Sequence, residues 1–289
     1  MSGKNNKFKI IFIGWNENGE KSLELLLRNH IPITSIILPK GYETSKMKVL
    51  AEKNSVPYIE SDGNPDELYA HISSVNPDLT IVASFHKLLQ ARILTASRLG
   101  TINIHASALP AYRGYHPINW AIINDERSIG VTIHFIDNGM DSGDILAQKI
   151  ITITDSDDVN SLRKKLTTHG ARLLLRVVKK IIQDQEKPVG IKQSGKISFA
   201  PKRLPDQGRI NWDDKTRNIF NLVRSLRSPY PNAFALTQKN ERISVEKSFI
   251  PPYPGVVLAQ VNGYYLITTS DGVIMIKTKS KLTIGQKLT

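Results

Sequence analysis

Short apolar runs alternate with amphipathic segments through the first hundred residues of the chain. A short apolar run is typical of a buried strand, whereas apolar residues spaced three or four apart mark one face of a helix. The runs that predict strands are residues 9–13, 33–38, 57–59 and 79–84. The helical segments between them are residues 20–29, 46–53 and 65–76. This alternation predicts an α/β fold with a parallel sheet and helices on both of its faces.

The alternation gives way to longer elements near residue 100. The next predicted strands are residues 100–105, 130–136 and 145–153. Residues 157–185 then carry one continuous helical pattern, for which Asp155 or Ser156 is the expected N-cap. The first domain is therefore expected to span residues 1–185.

A second, smaller domain is predicted after a segment without periodicity. Residues 186–206 contain Pro, Gly, Ser and Lys in no regular pattern, which is typical of a linker. Residues 207–289 then form the second domain, which begins with a helical segment at 213–227. The short strands predicted after it are residues 233–238, 242–249, 255–261, 264–269 and 273–279. Short strands separated by turns predict a small open β barrel.

The composition removes several classes of protein. The 289 residues are 40% hydrophobic and 22% charged, which is typical of a globular chain. Because there is no cysteine, disulfide scaffolds, thiolate zinc sites and cysteine nucleophiles are excluded. No apolar run approaches the roughly 20 residues that a membrane-spanning helix needs, and the N-terminus lacks the apolar core of a signal peptide. We therefore expect a cytoplasmic protein without a membrane partner.

Positive charge is concentrated at the C-terminal end of the chain. The formal net charge is +13. Residues 1–200 carry 25 basic and 20 acidic side chains, a balance of +5, whereas residues 201–289 carry 14 and 6, a balance of +8. A basic surface attracts phosphate in nucleotides, nucleic acids or lipid headgroups alike. The charge therefore indicates an anionic partner without choosing its class.

The densest group of chemically active residue types lies between residues 103 and 144. Asn103 and His105 are two apart on a predicted strand, so their side chains point to the same face. Asp141 follows in a glycine-flanked loop, and open α/β sheets place their sites where strand ends and loops converge. These groups suit acyl transfer to an amine, because Asn103 and His105 can stabilise an oxyanion while Asp141 accepts a proton.

Ordered motifs around these residues resemble those of one enzyme family. The motifs are Asn-x-His at 103–105, Ser-x-Leu-Pro-x-x-Arg-Gly at 107–114, Gly-Val-Thr at 130–132 and Asp-x-Gly at 141–143. In order and spacing they resemble the 10-formyltetrahydrofolate-dependent formyltransferases, of the sugar N-formyltransferase or methionyl-tRNA formyltransferase type. The similarity continues into the second domain at residues 208–212, 221–227 and 229–234.

The resemblance implies a fold and a set of site residues. It implies a Rossmann-like N-terminal formyltransferase domain, a C-terminal β-rich open barrel like the oligonucleotide-binding (OB) fold, and a catalytic triad of Asn103, His105 and Asp141. It also implies 10-formyltetrahydrofolate as co-substrate. The residues assigned to folate are Phe85, His86, Leu88, Leu89, Ser107, Leu109, Asp137 and Gly139. The residues assigned to the acceptor are Trp15, Arg113, Gly114 and His116.

The histidines outside the triad are interpreted as structural residues. A lone histidine near a strand is more often structural than catalytic, and this applies to His86, His116 and His134. The spacing of His105, His116 and His134 matches no metal-ligand pattern, so no metal is expected.

The predicted acceptor is a primary amine, most favourably that of a nucleotide-linked amino sugar. Residues 39–45 are too short and too weakly charged to replace the basic insertion of the tRNA enzymes, and residues 113–120 resemble the sugar-modifying members. One alternative is formylation of initiator methionyl-tRNA, for which Lys277, Lys279, Lys281 and Lys287 are candidate phosphate contacts. A less favoured alternative is hydrolysis of 10-formyltetrahydrofolate. The sequence leaves open whether the chain forms a homodimer.

Overall fold

The computed structural model describes residues 8–248, 254–269 and 272–288. The chain divides into two compact units, Met1–Arg203 and Leu204–Thr289. Most of the segment predicted as a linker, residues 186–203, therefore belongs to the first unit. This part of the chain contacts the residues of the candidate site described below.

A seven-stranded sheet forms the centre of the first unit. The strands of this unit are β1 (Ile10–Gly14), β2 (Ile33–Pro39), β3 (Tyr58–Ser61), β4 (Leu79–Ala83), β5 (Thr101–His105), β6 (Arg113–Gly114), β7 (Ser128–Phe135), β8 (Ile145–Thr152) and β9 (Phe199–Ala200). The sheet order is β3-β2-β1-β4-β5-β7-β8. The first five strands are parallel, and β7 and β8 continue the sheet antiparallel. The predicted Rossmann-like α/β class is confirmed, with an antiparallel extension at one side.

The helices of the first unit follow the strand-helix alternation. They are α1 (Asn16–Arg28), α2 (Ser45–Lys53), α3 (Pro65–Val75), α4 (Ala91–Leu94), α5 (Pro117–Ile123) and α6 (Val159–Asp184). The N-cap of α6 is Asp158, so the predicted cap at Asp155 or Ser156 is wrong. The Asp158 carboxylate accepts hydrogen bonds from the backbone N–H groups of Asn160 and Ser161 in the first turn, which is the usual role of an N-cap side chain.

Close contact between α6 and the sheet supports the strand that carries the candidate site. A Cβ atom added at Gly170 of α6 would lie 2.6 Å from Cδ1 of Ile104 on β5. Glycine therefore permits the helix to approach β5 more closely than any other residue would. β1 is apolar and buried along its whole length, because both faces of the sheet are covered there.

In its described residues the second unit contains one α-helix, a short 3-10 helix at Pro205–Gly208 and two small antiparallel sheets. Its elements are α7 (Thr216–Ser225), β10 (Ala233–Leu236), β11 (Arg242–Val245), β12 (Val257–Val261), β13 (Tyr264–Thr268) and β14 (Val273–Ile276). β10 pairs with β11, and β12, β13 and β14 form the other sheet. The smaller strand-rich second domain is confirmed. Phe249, predicted at the end of a strand, lies outside the described residues.

No helix in the described part of the chain is both long and apolar enough to span a membrane.

Candidate active site

Three side chains converge where β5 meets the loop that follows β7. Asn103 and His105 lie on β5 and Asp141 lies on the loop. His105 Nδ1 is 3.5 Å from Asp141 Oδ2, and Asn103 Nδ2 is 3.5 Å from Asp141 Oδ1. The structure therefore brings together the amide, the imidazole and the carboxylate that the sequence singled out.

Backbone geometry fixes the carboxylate of Asp141. Its φ of 49° lies in the left-handed region, which Asp adopts more readily than most residues. The backbone N–H of Gly114 donates to Asp141 Oδ2 at 2.9 Å. Close by, a Cβ atom at Gly143 would lie 1.9 Å from the Phe135 carbonyl oxygen, so this loop position requires glycine.

The tautomer of His105 follows from its contact with Tyr112. His105 Nε2 lies 2.9 Å from the Tyr112 carbonyl oxygen, which only accepts hydrogen bonds. Nε2 therefore carries a proton, and Nδ1, which faces Asp141, is the atom that gains or loses one. Tyr112 has a φ of 58°. Its hydroxyl donates to Glu126 Oε1 at 2.6 Å, so hydrogen bonds restrain both its backbone carbonyl and its side chain.

Burial and charge set the protonation states of this pair. Burial lowers the pKa of His105, which is 7% exposed, and the nearby Asp141 opposes part of that shift. Burial raises the pKa of Asp141, but the neighbouring imidazoles of His105 and His134 and the hydrogen bond from the Gly114 N–H outweigh burial and hold the pKa at about 2. The carboxylate is therefore ionised at neutral pH beside an imidazole nitrogen that can accept a proton.

His134 orients the amide of Asn103, a role that the sequence interpretation did not assign. Its side chain is 1% exposed and lies opposite Asn103 in the β5–β7 register. His134 Nδ1 donates to the Phe135 carbonyl at 2.7 Å, which leaves Nε2 to accept from Asn103 Nδ2 at 3.1 Å. One N–H of the amide is thereby held by His134, and the other remains beside Asp141.

Gln193 is a second residue that the sequence interpretation missed. Its Nε2 donates to the carbonyls of Asp141 and Gly143, both at 2.8 Å. Its Oε1 accepts from Arg113 Nη2 at 2.6 Å and from Nε at 3.2 Å. Gln193 therefore joins the Asp141 loop to Arg113 from within the segment predicted as a linker. Pairing of β6 with β9 holds that segment against the first unit.

The residues assigned to folate occupy different environments. Phe85 and Leu89 pack against the edge of the apolar core, whereas Leu88 is 75% exposed. Ser107 and Leu109 are buried, and the Ser107 hydroxyl donates to the Ala111 carbonyl at 2.6 Å. The side chain of Leu109 is apolar and the Ser107 hydroxyl donates within the protein, so neither side chain is placed to donate a hydrogen bond to a ligand.

Asp137 and Gly139 belong to the loop that leads to Asp141. Asp137 Oδ1 accepts from the Gly139 N–H at 3.0 Å and from the Ser142 hydroxyl at 2.6 Å. Asp137 also lines a cavity of about 580 Å³. The other walls of the cavity are α4, the start of β5 and segments 135–138, 143–144 and 187–190. Its volume lies in the range of ordinary ligand pockets.

The residues assigned to the acceptor also have different contacts. Gly114 contacts Asp141 directly, and Arg113 contacts Gln193. His116 Nδ1 accepts from the backbone N–H of Arg203 at 3.1 Å, and burial lowers the pKa of its imidazole. Trp15 lies at the end of β1 within a row of aromatic rings.

Within the described ranges, no group of three or more His, Asp and Glu side chains is arranged to hold a metal ion.

Both units match known protein families. Residues 2–178 match the family model described as formyl transferase. Residues 204–286 match the model described as formyl transferase, C-terminal domain. The two matches together cover most of the chain.

Full-length relatives and solved structures extend these matches. The chain is 35% identical to the methionyl-tRNA formyltransferase of Thermodesulfovibrio yellowstonii, over 92% of this chain and 89% of the relative. It is 33% identical to that of Syntrophus aciditrophicus, over 94% and 90%. The N-formyltransferase of Helicobacter canadensis, solved with folinic acid and dTDP-3-aminofucose, has a TM-score of 0.68 at 22% identity, covering 94% of this chain and 100% of that one. This last similarity shows the fold alone. Two family models and relatives that align across both units establish that this chain belongs to the formyl transferase family and is a formyltransferase.

Proposed function

We propose that this enzyme transfers the formyl group of 10-formyltetrahydrofolate, the formyl donor of its family, to the α-amino group of methionyl-tRNA. The observation that carries the proposal is 35% identity to a methionyl-tRNA formyltransferase across 92% of the chain. The charge of the second unit agrees with it. Residues 204–289 contain 12 basic and 6 acidic side chains, a balance of +6, which favours a phosphate backbone.

This proposal replaces the amino sugar that the sequence favoured as acceptor. The amino sugar remains a second candidate because of one local feature. Only residues 40–44 separate β2 from α2, and Lys40 is their single basic side chain. A connection of this length cannot extend far from the sheet to contact the acceptor stem of a tRNA.

The cavity beside the Asp137–Asp141 loop is the proposed place for the folate. Its walls include apolar side chains of α4 and the carboxylates of Asp137 and Asp144. Such a mixture of apolar surface and a few polar groups suits a planar heterocycle that carries hydrogen-bond donors. The loop that forms one wall also carries Asp141, so a ligand in this cavity lies near the triad.

The triad then supplies the groups that formyl transfer to an amine requires. The attacking amine must lose a proton, and the ionised carboxylate of Asp141, with His105 Nδ1 at 3.5 Å, accepts it directly or through water. The formyl oxygen gains negative charge in the tetrahedral intermediate. The Asn103 N–H that lies beside Asp141 donates to that oxygen. The proton taken from the amine passes through His105 Nδ1 to the folate nitrogen as the C–N bond to the donor breaks.

Replacing either ionisable triad residue should abolish formyl transfer without unfolding the chain. For His105→Ala and Asp141→Asn we expect kcat to fall by at least about 100-fold, the effect typical of losing an acid–base group. Initial rates of tetrahydrofolate release measure the loss, and circular dichroism checks the fold. Wild-type kcat in either variant would contradict the assigned roles.

Replacing Gln193 should weaken catalysis through the Asp141 loop. Gln193→Ala removes the bonds to two loop carbonyls and to Arg113. We expect kcat to fall about tenfold, because each lost bond loosens the carboxylate that must face His105. Gln183→Ala, at an exposed position of α6, is the matched control. Equal kcat in the two variants would show that Gln193 does not position the loop.

A panel of acceptors tests the proposed function directly. Purified enzyme with 10-formyltetrahydrofolate should release tetrahydrofolate only when an amine is present, and fastest with methionyl-tRNA. That reaction should slow steeply with added salt, because binding displaces counterions from the tRNA. Formylation of nucleotide-linked 3- or 4-amino sugars without methionyl-tRNA activity would establish the second candidate instead. Release without any acceptor would identify a hydrolase and contradict both.

A further inference from the structure

Four aromatic rings stand in a row at the carboxyl ends of the parallel strands. The ring centroids of Trp15 and Tyr42 are 4.4 Å apart, and those of Tyr42 and His86 are 5.2 Å apart. Phe85 continues the row, 4.6 Å from His86. We call these four residues the ring row. Each of its first three members follows a different strand: β1, β2 and β4 respectively.

The ring row lies at the point where the strand order of the sheet reverses. From β1 the chain builds outward through β2 and β3, then crosses to β4 on the opposite side of β1. Open α/β sheets bind ligands in the crevice formed outside the strand ends at such a point. Here the backbone N–H of Trp15 donates to the Ala83 carbonyl at 3.4 Å, which places Trp15 at the end of the β1–β4 pairing. The row therefore borders the crevice in which a ligand is expected.

Short braced loops hold the rings in place while leaving part of their surface open. The loop that carries Tyr42 is fixed by a hydrogen bond from Lys40 N–H to the Ser61 carbonyl at 2.8 Å. His86 Nε2 donates to the Asp62 carbonyl at 3.0 Å. Tyr42 is nevertheless 41% exposed, and Trp15 and His86 are half-buried. A rigid aromatic surface that faces solvent loses little entropy when a planar group stacks on it.

The ring row and the cavity are formed by different residues on either hand of the β4–β5 connection and the loop after β7. None of the four ring-row residues is among those that line the cavity. Neighbouring strands are about 4.8 Å apart, so the end of β2, which Tyr42 follows, lies three strand spacings, about 14 Å, from the end of β5. The Tyr42 ring lies nearer than this, because its centroid is 5.2 Å from that of His86 after β4. Between the base and the reacting amine lie the ribose and aminoacyl group of a charged tRNA, or the ribose, phosphates and sugar of a sugar nucleotide, and both are long enough to span this distance. A donor in the cavity and an acceptor along the row would thus meet at the triad.

We propose that the ring row binds the nucleobase of the formyl acceptor, with the base stacked on Tyr42. This inference rests on the proposed function, in which the acceptor carries a nucleoside. The 3′-terminal adenosine of a tRNA and the nucleoside of a nucleotide-linked sugar share that chemistry. Stacking suits both, because every base presents an aromatic face. His86, assigned to folate from the sequence, belongs to the acceptor side in this arrangement.

Steady-state kinetics of Tyr42 variants test the proposal. Tyr42→Ala should raise the KM for the acceptor about tenfold, equivalent to about 1.4 kcal/mol, since base stacking on one aromatic ring has this magnitude. The kcat and the KM for 10-formyltetrahydrofolate should stay at wild-type values. Tyr42→Phe keeps the ring and should bind the acceptor normally. Tyr69→Ala removes a comparably exposed tyrosine, 39% exposed on α3, and is the matched control.

An unchanged acceptor KM in Tyr42→Ala would overturn the proposal. So would a raised KM for 10-formyltetrahydrofolate with an unchanged acceptor KM, because the ring would then contact the donor.

Equilibrium binding of AMP and dTMP tests base binding by the ring row independently of which acceptor is formylated. Ligand-observed NMR at millimolar nucleotide should detect binding to the wild type and its loss in Tyr42→Ala. Tighter binding of AMP points to the tRNA terminus, and tighter binding of dTMP to a sugar nucleotide. Loss of binding in Tyr42→Ala supports the ring row even if neither acceptor is formylated, in which case only the proposed function fails. Equal binding to both proteins, or no binding of either nucleotide, overturns the inference.

Discussion

The candidate site depends on one buried carboxylate that stays ionised. Asp141 is surrounded by His105, His134 and the Gly114 N–H, and these groups hold its pKa at about 2 although burial alone would raise it. A neutral carboxyl there would neither attract the proton of an amine nor stabilise a protonated imidazole. The charge of Asp141 also makes Nδ1 of His105 the reactive nitrogen, since Nε2 is committed to the Tyr112 carbonyl. The chemistry of the site therefore follows from the placement of this one side chain.

Placing that carboxylate requires contributions from distant parts of the chain. The left-handed turn at Asp141 and the glycine at 143 shape the loop, while Gln193 holds its carbonyls from the segment after α6. The two Gln193 contacts are hydrogen bonds of 2.8 Å to backbone carbonyls, so they restrain the loop that carries the reactive side chain. The segment between α6 and the second unit consequently has a positioning role as well as a connecting one.

The sequence predicted those parts of the site that lie on regular elements or in distinctive motifs. Asn103 and His105 could be assigned to one site because residues two apart on a strand point to the same face of the sheet. Asp141 could be added because its motif resembles that of a family. Gln193 could not be found, since it lies in a stretch without periodicity and acts through long-range bonds that no local pattern encodes. The sequence placed His134 on a predicted strand, but its role depends on the β5–β7 register, which pairs it with Asn103. That pairing is a property of the folded sheet.

The protonation state of His105 is the most direct test of this account, and ¹⁵N NMR of its imidazole measures it during a pH titration. We expect Nε2 to stay protonated throughout and Nδ1 to titrate with a pKa below the ordinary value of 6.5. In Asp141→Asn the pKa of His105 should fall further, because the opposing charge is gone. A neutral imidazole protonated at Nδ1, or a pKa that is unchanged by the Asp141 substitution, would contradict the central role of the carboxylate.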